Sequence, residues 1–380
     1  GAVMITASHN PPEYNGIKFI PEYAGPALPD VTDAIEKEIQ RVIDSGKVYE
    51  LALDEAAQLD LFEEIDVDEE YQAQLLKMTQ VDAFKNNPIR VVVDPMFGAG
   101  ISYLDKVLSR LGCEVFPINN HRDPLFGGSL PEPTDANLAD LKRAVTSYKA
   151  DIGLALDGDA DRFGIIDNEG HFINANRFMA LLLEHLLNTR QFRGPVARSI
   201  ATTHMLDRIA RKNGLSALET PVGFKYIGQC LRDKGCMLGG EESGGLSILG
   251  HVPEKDGILA CLLAAEMVAY HGKTLAELEN ELSEKYGTMY SHRLDVKVNP
   301  ADKSVVLNKL EEYRPKSIAG IAVESISNLE GLKIVLEEGS WVLVRPSGTE
   351  PLFRIYVETG QEEQLPALQK EVLQALGLNS

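Results

Sequence analysis

The run IRVVVDP (89–95) is short, apolar and β-branched, and ISYLDKVLSRLG (101–112), with helical spacing and a closing Gly112, follows it. A second strand pattern, CEVFPI (113–118), leads to a helix pattern, NLADLKRAVTSYKA (137–150), and then to a third strand, DIGLAL (151–156). Strands separated by helices are not joined by tight hairpins. They need crossovers, and crossovers make sheet neighbours parallel and cover both sheet faces. This segment alone commits the chain to an α/β architecture with a mainly parallel sheet. FGIIDNEGHFIN (163–174) then reads as a hairpin around Asn168–Gly170.

The alternation continues with helix patterns at 176–189 and 204–214 around a strand at 195–201, and with a strongly apolar helix at 256–272. After SEKYG the texture changes. Strand patterns at 290–298, 321–348 and 353–359, flanked by helices at 302–313 and 361–376, predict a separate α+β module. Near the front, 30–46 reads as a capped amphipathic helix with Ile35, Ile39, Val42 and Ile43 on one face. The acidic stretch 54–70 reads as a solvated face and linker.

With 380 residues, 44% of them apolar, the chain has material for two to four cores. Its net charge of −20 argues against broad nucleic-acid binding, which needs a basic footprint. No run reaches the roughly 18 apolar residues of a membrane span, and the first residues lack the pattern of a signal peptide. Cys113, Cys230, Cys236 and Cys261 show no CxxC pairing, which points to reduced thiols and a cytoplasmic setting. An anionic substrate would require a metal or a local Arg/Lys cluster working against the overall field.

Four loops carry chemistry. LALDGDADRFGI (154–165) ends a strand in Asp157, Asp159 and Asp161, and residues two apart in an extended loop project to the same side. Three carboxylates suit Mg²⁺ or Ca²⁺ rather than zinc. An EF-hand is excluded, because its sixth position would be Arg162 and its twelfth Asn168. GGEESGGLSI (239–248) sets Glu241 and Ser243 between glycines, where they suit neighbouring sugar hydroxyls or a plain turn equally. VRPSGTEPLFR (344–354) supplies Arg345, Ser347, Thr349 and Arg354, and Gly348 would let successive N–H groups curl into an anion nest.

The last loop is ITASHNPPEYNGIKF (5–19). Ser8 lacks the GxSxG setting of a hydrolase nucleophile, and the adjacent His9 is expected to diverge from it. A serine carrying a phosphoryl group uses all four loops. On that reading Mg²⁺ would neutralise the phosphate, Lys18 would shuttle the hydroxyl proton, and RPSGT would hold a second phosphate.

TASHNP, DGDADR, GEESGG and RPSGTEP, in this order, resemble the four signature loops of the α-D-phosphohexomutase superfamily. The resemblance implies three mixed α/β domains of shared topology, the first truncated at its N-terminus, plus a C-terminal α+β domain, arranged around a central cleft. The expected boundaries are 1–66, 67–170, 171–286 and 287–380. It further implies that Ser8 is the phosphoserine and completes a Mg²⁺ site with Asp157, Asp159 and Asp161. Lys18 is the expected general acid/base, with His9 as helper and Arg162 on the transferring phosphate. Glu241 and Ser243 would bind the sugar, and Arg345, Ser347, Gly348 and Thr349 the distal phosphate, with Arg354 adding a second cation. The reaction implied is a reversible C1-to-C6 phosphate shift through a hexose 1,6-bisphosphate, with glucose 1,6-bisphosphate as activator.

TPVGFKYIG (220–228) and Glu242 depart from the GDRY pattern and the Gln of the phosphoglucosamine branch. The glucose/mannose branch is the closer match: phosphoglucomutase first, phosphomannomutase second. EKDG (254–257) makes Lys255 a phosphate or sugar contact, as plausible as a surface lysine. The expected partner is a small hexose phosphate, with neither nucleic acid nor membrane, and the chain is expected as a monomer or homodimer. Two other readings stay open: an inactive sugar-phosphate-binding remnant, and a Mg²⁺-dependent phosphohydrolase with Asp157 as nucleophile, in which Ser8 has no task.

Overall fold

A computed structural model describes residues 1–348 and 350–378. The chain forms two compact units, Gly1–Gly170 with Gly250–Gly272, and His171–Leu249 with the residues from Lys273 onward.

In the first unit the strand Arg90–Asp94 lies inside a five-stranded sheet, and Val91, Val92 and Val93 are all buried. It pairs in parallel with Glu114–Pro117 on one side and Ile152–Leu156 on the other. Phe163–Asp167 then pairs antiparallel with Ile152–Leu156, so the sheet is mixed rather than parallel throughout. The helix expected at 101–112 starts only at Leu104, because Ser102 takes a left-handed backbone (φ 63°) that a helix cannot contain.

The helix Gly257–His271 packs on Ile152–Leu156 and Phe163–Asp167. Chain order groups this helix with residues 171–286, but its packing groups it with the first sheet. Thirteen consecutive residues, Gly257 to Ala269, are buried, so it is apolar all round and must be covered on every side. Ala2–Ile5 and Ile17–Ile20 form a separate antiparallel pair. The helix Pro29–Ser45 has no side-chain N-cap, contrary to expectation, because the chain enters through Leu28 and Pro29. It ends at Gly46 in the left-handed region, and its Ile39, Val42 and Ile43 face solvent.

In the second unit a four-stranded sheet repeats the pattern of the first. Val196–Ser199 pairs in parallel with Leu238–Gly240 and Ala217–Thr220, and Leu246–Ile248 returns antiparallel beside Leu238–Gly240. The C-terminal sheet is different: six strands, all antiparallel, in the order Tyr290–Lys297, Leu352–Thr359, Trp341–Pro346, Leu332–Leu336, Ile321–Ser327 and Ser317–Ile318. The period-2 rule sorts its side chains. Val342, Val344, Phe353, Ile355 and Val357 join the core beneath helices Lys303–Glu312 and Leu365–Leu376. Trp341, Leu343 and Tyr356 point the other way and pack with Ile200 and Ala201.

That second face also holds buried charge. Lys333 Nζ donates to Glu219 Oε2 at 2.6 Å and Ile200 O at 2.7 Å, and lies 4.6 Å from the Trp341 ring centre. Arg198 bonds both Asp207 and Glu219, while Glu358 accepts from Trp341 Nε1 and from the His204 N–H. Burial, followed by the Arg198 and Lys333 charges, lowers His204 to about 4 from an ordinary 6.5. Between those values the unfolded chain takes up a proton that the fold refuses. Stability therefore rises with pH across this window and falls on acidification, by up to roughly 3 kcal/mol from this one group. In His204→Gln that share of the acid sensitivity should vanish. Thermal unfolding followed through Trp341, the chain's single tryptophan, at stepped pH measures it.

Candidate active site

Each of the four signature loops joins two antiparallel strands. Residues 6–16 connect Ala2–Ile5 to Ile17–Ile20, and 157–162 connect Ile152–Leu156 to Phe163–Asp167. Residues 241–245 and 347–351 do the same for Leu238–Gly240 with Leu246–Ile248 and for Trp341–Pro346 with Leu352–Thr359. A hairpin tip holds few residues in a fixed geometry and turns their side chains outward.

In the first unit the serine loop lies directly on the aspartate loop. A Cβ at Gly158 would come within 2.5 Å of the Ser8 carbonyl oxygen, so only glycine permits this approach. Thr6 ties the two loops together. Its hydroxyl accepts the Ser8 N–H at 2.8 Å and donates to Asp159 Oδ2 at 3.0 Å. Ser8 itself has φ 55°, a left-handed conformation costly for a non-glycine residue. That conformation corrects the expectation that Ser8 and His9 diverge: Ser8 Oγ lies 3.1 Å from His9 Nδ1. Burial, then the Arg162 charge, keeps His9 below its ordinary pKa. Glu132 faces both partners, 3.8 Å from His9 Nε2 and 3.5 Å from Arg162.

Asp157, Asp159 and Asp161 offer ligand atoms that all lie within 4.8 Å of one another. Their convergence does not come from extended alternation. The loop is a turn closed by the Ala160 N–H on the Asp157 carbonyl, with Ala160 at φ 60°. Each aspartate spends one oxygen on the protein. Asp157 Oδ1 accepts the Arg162 N–H at 2.9 Å, Asp159 Oδ2 takes Lys18 at 3.2 Å, and Asp161 Oδ2 takes Lys255 at 2.5 Å and Lys18 at 3.4 Å. The other oxygens, Asp157 Oδ2, Asp159 Oδ1 and Asp161 Oδ1, are buried without a hydrogen-bond partner. Three orphaned carboxylate oxygens fit a hard divalent cation such as Mg²⁺.

Electrostatics agree. Burial, then Asp161 and Asp159, holds Asp157 well above the usual carboxylate range. Burial also acts on Asp159, but Lys18 and the Thr6 hydroxyl outweigh it and hold that group low. Arg162 Nε is buried with no hydrogen-bond partner, 4.0 Å from Asp157 and Asp161. Lys255, expected as a sugar or phosphate contact, is seated on Asp161.

The second unit carries the other two loops. Glu241 is buried, and its Oε1 accepts the Gly223 N–H at 2.8 Å, which ties the sugar loop to the GFKY segment. Ser243 is exposed at the tip. Glu242 turns back to accept from the Ser199 hydroxyl at 3.0 Å. Arg345 and Arg354 are directly opposed across two strands, a repulsive pairing eased by Glu330 at 2.9 Å from Arg345 and Asp295 at 3.8 Å from Arg354. Arg354 Nε is buried without a hydrogen-bond partner, and the Ser347 hydroxyl accepts the Glu350 N–H at 3.2 Å. The nest expected from Gly348 is not supported by that residue. Its φ lies outside the left-handed region and a Cβ there would meet nothing, so glycine is not required. Thr349 lies outside the described residues.

Thr6, Glu132 and the Gly223 N–H escaped the sequence reading. Only Thr6 had a visible cue, a hydroxyl two residues before Ser8. Glu132 comes from a loop whose sequence neighbours say nothing of Ser8.

Asp157→Asn should raise the melting temperature of the metal-free protein by a few degrees, because it removes a fully buried charge whose nearest cation, Arg162 Nε, stands 4.0 Å away without a hydrogen bond. The same change should weaken Mg²⁺ binding more than about tenfold. Scanning calorimetry and isothermal titration measure the two effects.

Sequence families for phosphoglucomutase/phosphomannomutase match along the chain: α/β/α domain I at residues 1–45, domain II at 69–170, domain III at 174–286 and the C-terminal domain at 296–375. A phosphoglucomutase/phosphomannomutase from Thermococcus kodakarensis is 35% identical over 364 residues, 96% of this chain and 76% of that protein. A Methanopyrus kandleri protein named "Probable phosphoglucosamine mutase" is 33% identical over 97% of this chain and 77% of its own length. The open-form crystal structure of the Paramecium phosphoglucomutase pp63/parafusin superposes with a TM-score of 0.77 at 26% identity, covering 99% of this chain and 77% of that one. With all four domains matched in order, this chain belongs to the phosphoglucomutase/phosphomannomutase family of hexose-phosphate mutases.

Proposed function

We propose that the chain interconverts the 1- and 6-phosphates of a hexose, with glucose as the preferred sugar, through phosphorylated Ser8 and a hexose 1,6-bisphosphate. The observation that carries this reading is the contact of the Ser8 loop with the Asp157–Asp161 turn through Thr6. In the forward half-reaction the bond from phosphorus to Ser8 Oγ breaks and one to the free sugar hydroxyl forms. Lys18 takes the proton of the attacking sugar hydroxyl while protonated His9 gives one to the departing Oγ, and each transfer runs backward when the phosphate comes back. In the second half-reaction neutral His9 Nδ1, 3.1 Å from Ser8 Oγ, accepts the serine proton as the phosphate comes back. Arg162, with a buried N–H to offer, steadies the transferring group. Mg²⁺ held by Asp157, Asp159, Asp161 and the Ser8 phosphate would supply charge neutralisation at that group. Glucose 1,6-bisphosphate would prime Ser8.

Glu241 and Ser243 recognise the sugar hydroxyls, and Arg345, Arg354, Ser347, Gly348 and Thr349 the distal phosphate. The glucose preference rests on GFKY in place of GDRY and on Glu242, whose carboxylate is held by Ser199 and Thr202. Mannose is the second candidate.

Turnover of glucose 1-phosphate, mannose 1-phosphate and glucosamine 1-phosphate, measured side by side, tests the order, and glucose should lead. Incubation with Mg²⁺ and glucose 1,6-bisphosphate should add one phosphoryl mass to the chain and none to Ser8→Ala, which should lose turnover. A phosphohydrolase acting through Asp157 would survive that substitution, and an inert remnant would never gain the mass. Thr6→Val should cut turnover roughly tenfold by freeing the Ser8 N–H, while Thr6→Ser keeps most of it.

A further inference from the structure

Lys255 reaches the aspartate turn from far along the chain. Its Nζ lies 2.5 Å from Asp161 Oδ2, and both side chains are largely buried, 15% and 11% exposed. Burial opposes its charge, but Asp161 and then Glu254 more than compensate, so its pKa is raised. The next residue fixes where Lys255 sits. Asp256 caps the helix Gly257–His271 by accepting the Leu259 N–H at 2.8 Å. Its carboxylate also accepts from the Tyr71 hydroxyl at 2.9 Å and lies 2.8 Å from His251 Nε2. Asp256, anchored from three directions, thus delivers a buried ammonium to an acidic turn.

The turn carries three carboxylates, and Lys18, Lys255 and Arg162 all lie within 4.0 Å of one or more of them. Lys18 is the most open of these, 38% exposed, whereas Lys255 is only 15% exposed. A divalent ion entering the turn meets a positive charge already seated on one of its ligands. At such separations a unit charge in a partly buried setting shifts binding by a large factor.

We propose that Lys255 is an internal counter-ion of the aspartate turn: it stabilises the metal-free protein and opposes divalent-cation binding there, so that metal occupancy weakens its hold on Asp161. This rests on the reading of the turn as the Mg²⁺ site and extends it to a residue no ligand set includes. It also reconciles the seat on Asp161 with the expected role of Lys255 toward substrate, since weakening the Asp161 contact lets the ammonium meet an anion.

The test is calorimetric titration of Mg²⁺ into the metal-free full chain, without substrate, for wild type, Lys255→Gln and Lys255→Arg. Lys255→Gln should bind Mg²⁺ on the order of tenfold more tightly, and Lys255→Arg, which keeps the charge, should stay near wild type. The melting temperature of metal-free Lys255→Gln should fall and recover at saturating Mg²⁺. Should Lys255→Gln not yield folded protein, Tyr71→Phe, which loosens Asp256, should tighten Mg²⁺ binding by a smaller factor. Unchanged or weaker binding in the folded variant, with wild type binding normally, would overturn the counter-ion role alone. If wild type shows no saturable binding and Asp159→Asn behaves the same, the metal reading falls and takes this inference with it.

Discussion

Three carboxylates within five residues, at the tip of one hairpin, set the electrostatic problem that the first unit is built to contain. Unshielded, Asp157, Asp159 and Asp161 would repel one another at the distances the turn imposes. The fold answers with a backbone N–H for Asp157, with Lys18 and the Thr6 hydroxyl for Asp159, and with Lys18 and Lys255 for Asp161. Apart from the Arg162 N–H of the turn itself, these partners come from two stretches of chain distant in sequence. The same contacts bring Ser8 onto the turn, so charge compensation and assembly of the reactive site are one event. Three oxygens are left without a hydrogen-bond partner, which is the residue of the problem that protein groups do not solve.

The hairpin is the recurrent device. In the five-stranded and four-stranded sheets a parallel strand turns back into an antiparallel neighbour, and the connecting loop bears the chemistry. The Ser8 loop and the Arg345–Arg354 loop sit at antiparallel tips of other sheets. Around three of the four loops the flanking strands are largely buried, which lets a few polar residues be held against their own repulsion, whereas the strands beside the Ser8 loop are exposed to half-buried. The opposed Arg345 and Arg354 and the left-handed Ser8 are tolerated for this reason: neighbouring strands or loops over-determine their positions.

Much of this was legible in the residues. The β-branched run at 89–95 and the apolar run at 151–156 became buried strands because continuous apolar runs have no other stable home in an α/β sheet. The motif loops were legible because glycine and clustered polar residues are rare inside strands and helices. The reading failed where a backbone left its local preference. Ser102 delayed a helix, Ala160 made a turn of what read as extended chain, and Ser8 at positive φ brought His9 to its hydroxyl. Local propensity does not foresee strain, since strain is supported by distant contacts.

The order of strands and helices, the mixed character of the domains, the acidic metal-ready turn and the candidate phosphoserine were determined by the sequence itself, because periodicity and residue chemistry are local properties. Which cation sits on which aspartate, that Glu132 faces His9, that Lys255 rather than solvent neutralises Asp161, and that the helix Gly257–His271 belongs with the first sheet were decided only by tertiary structure. Those facts depend on which surfaces meet when apolar faces are buried, and the lysines of the turn lie from 94 to 143 residues from the aspartates they meet. No local pattern encodes such a meeting; the packing of the whole unit does.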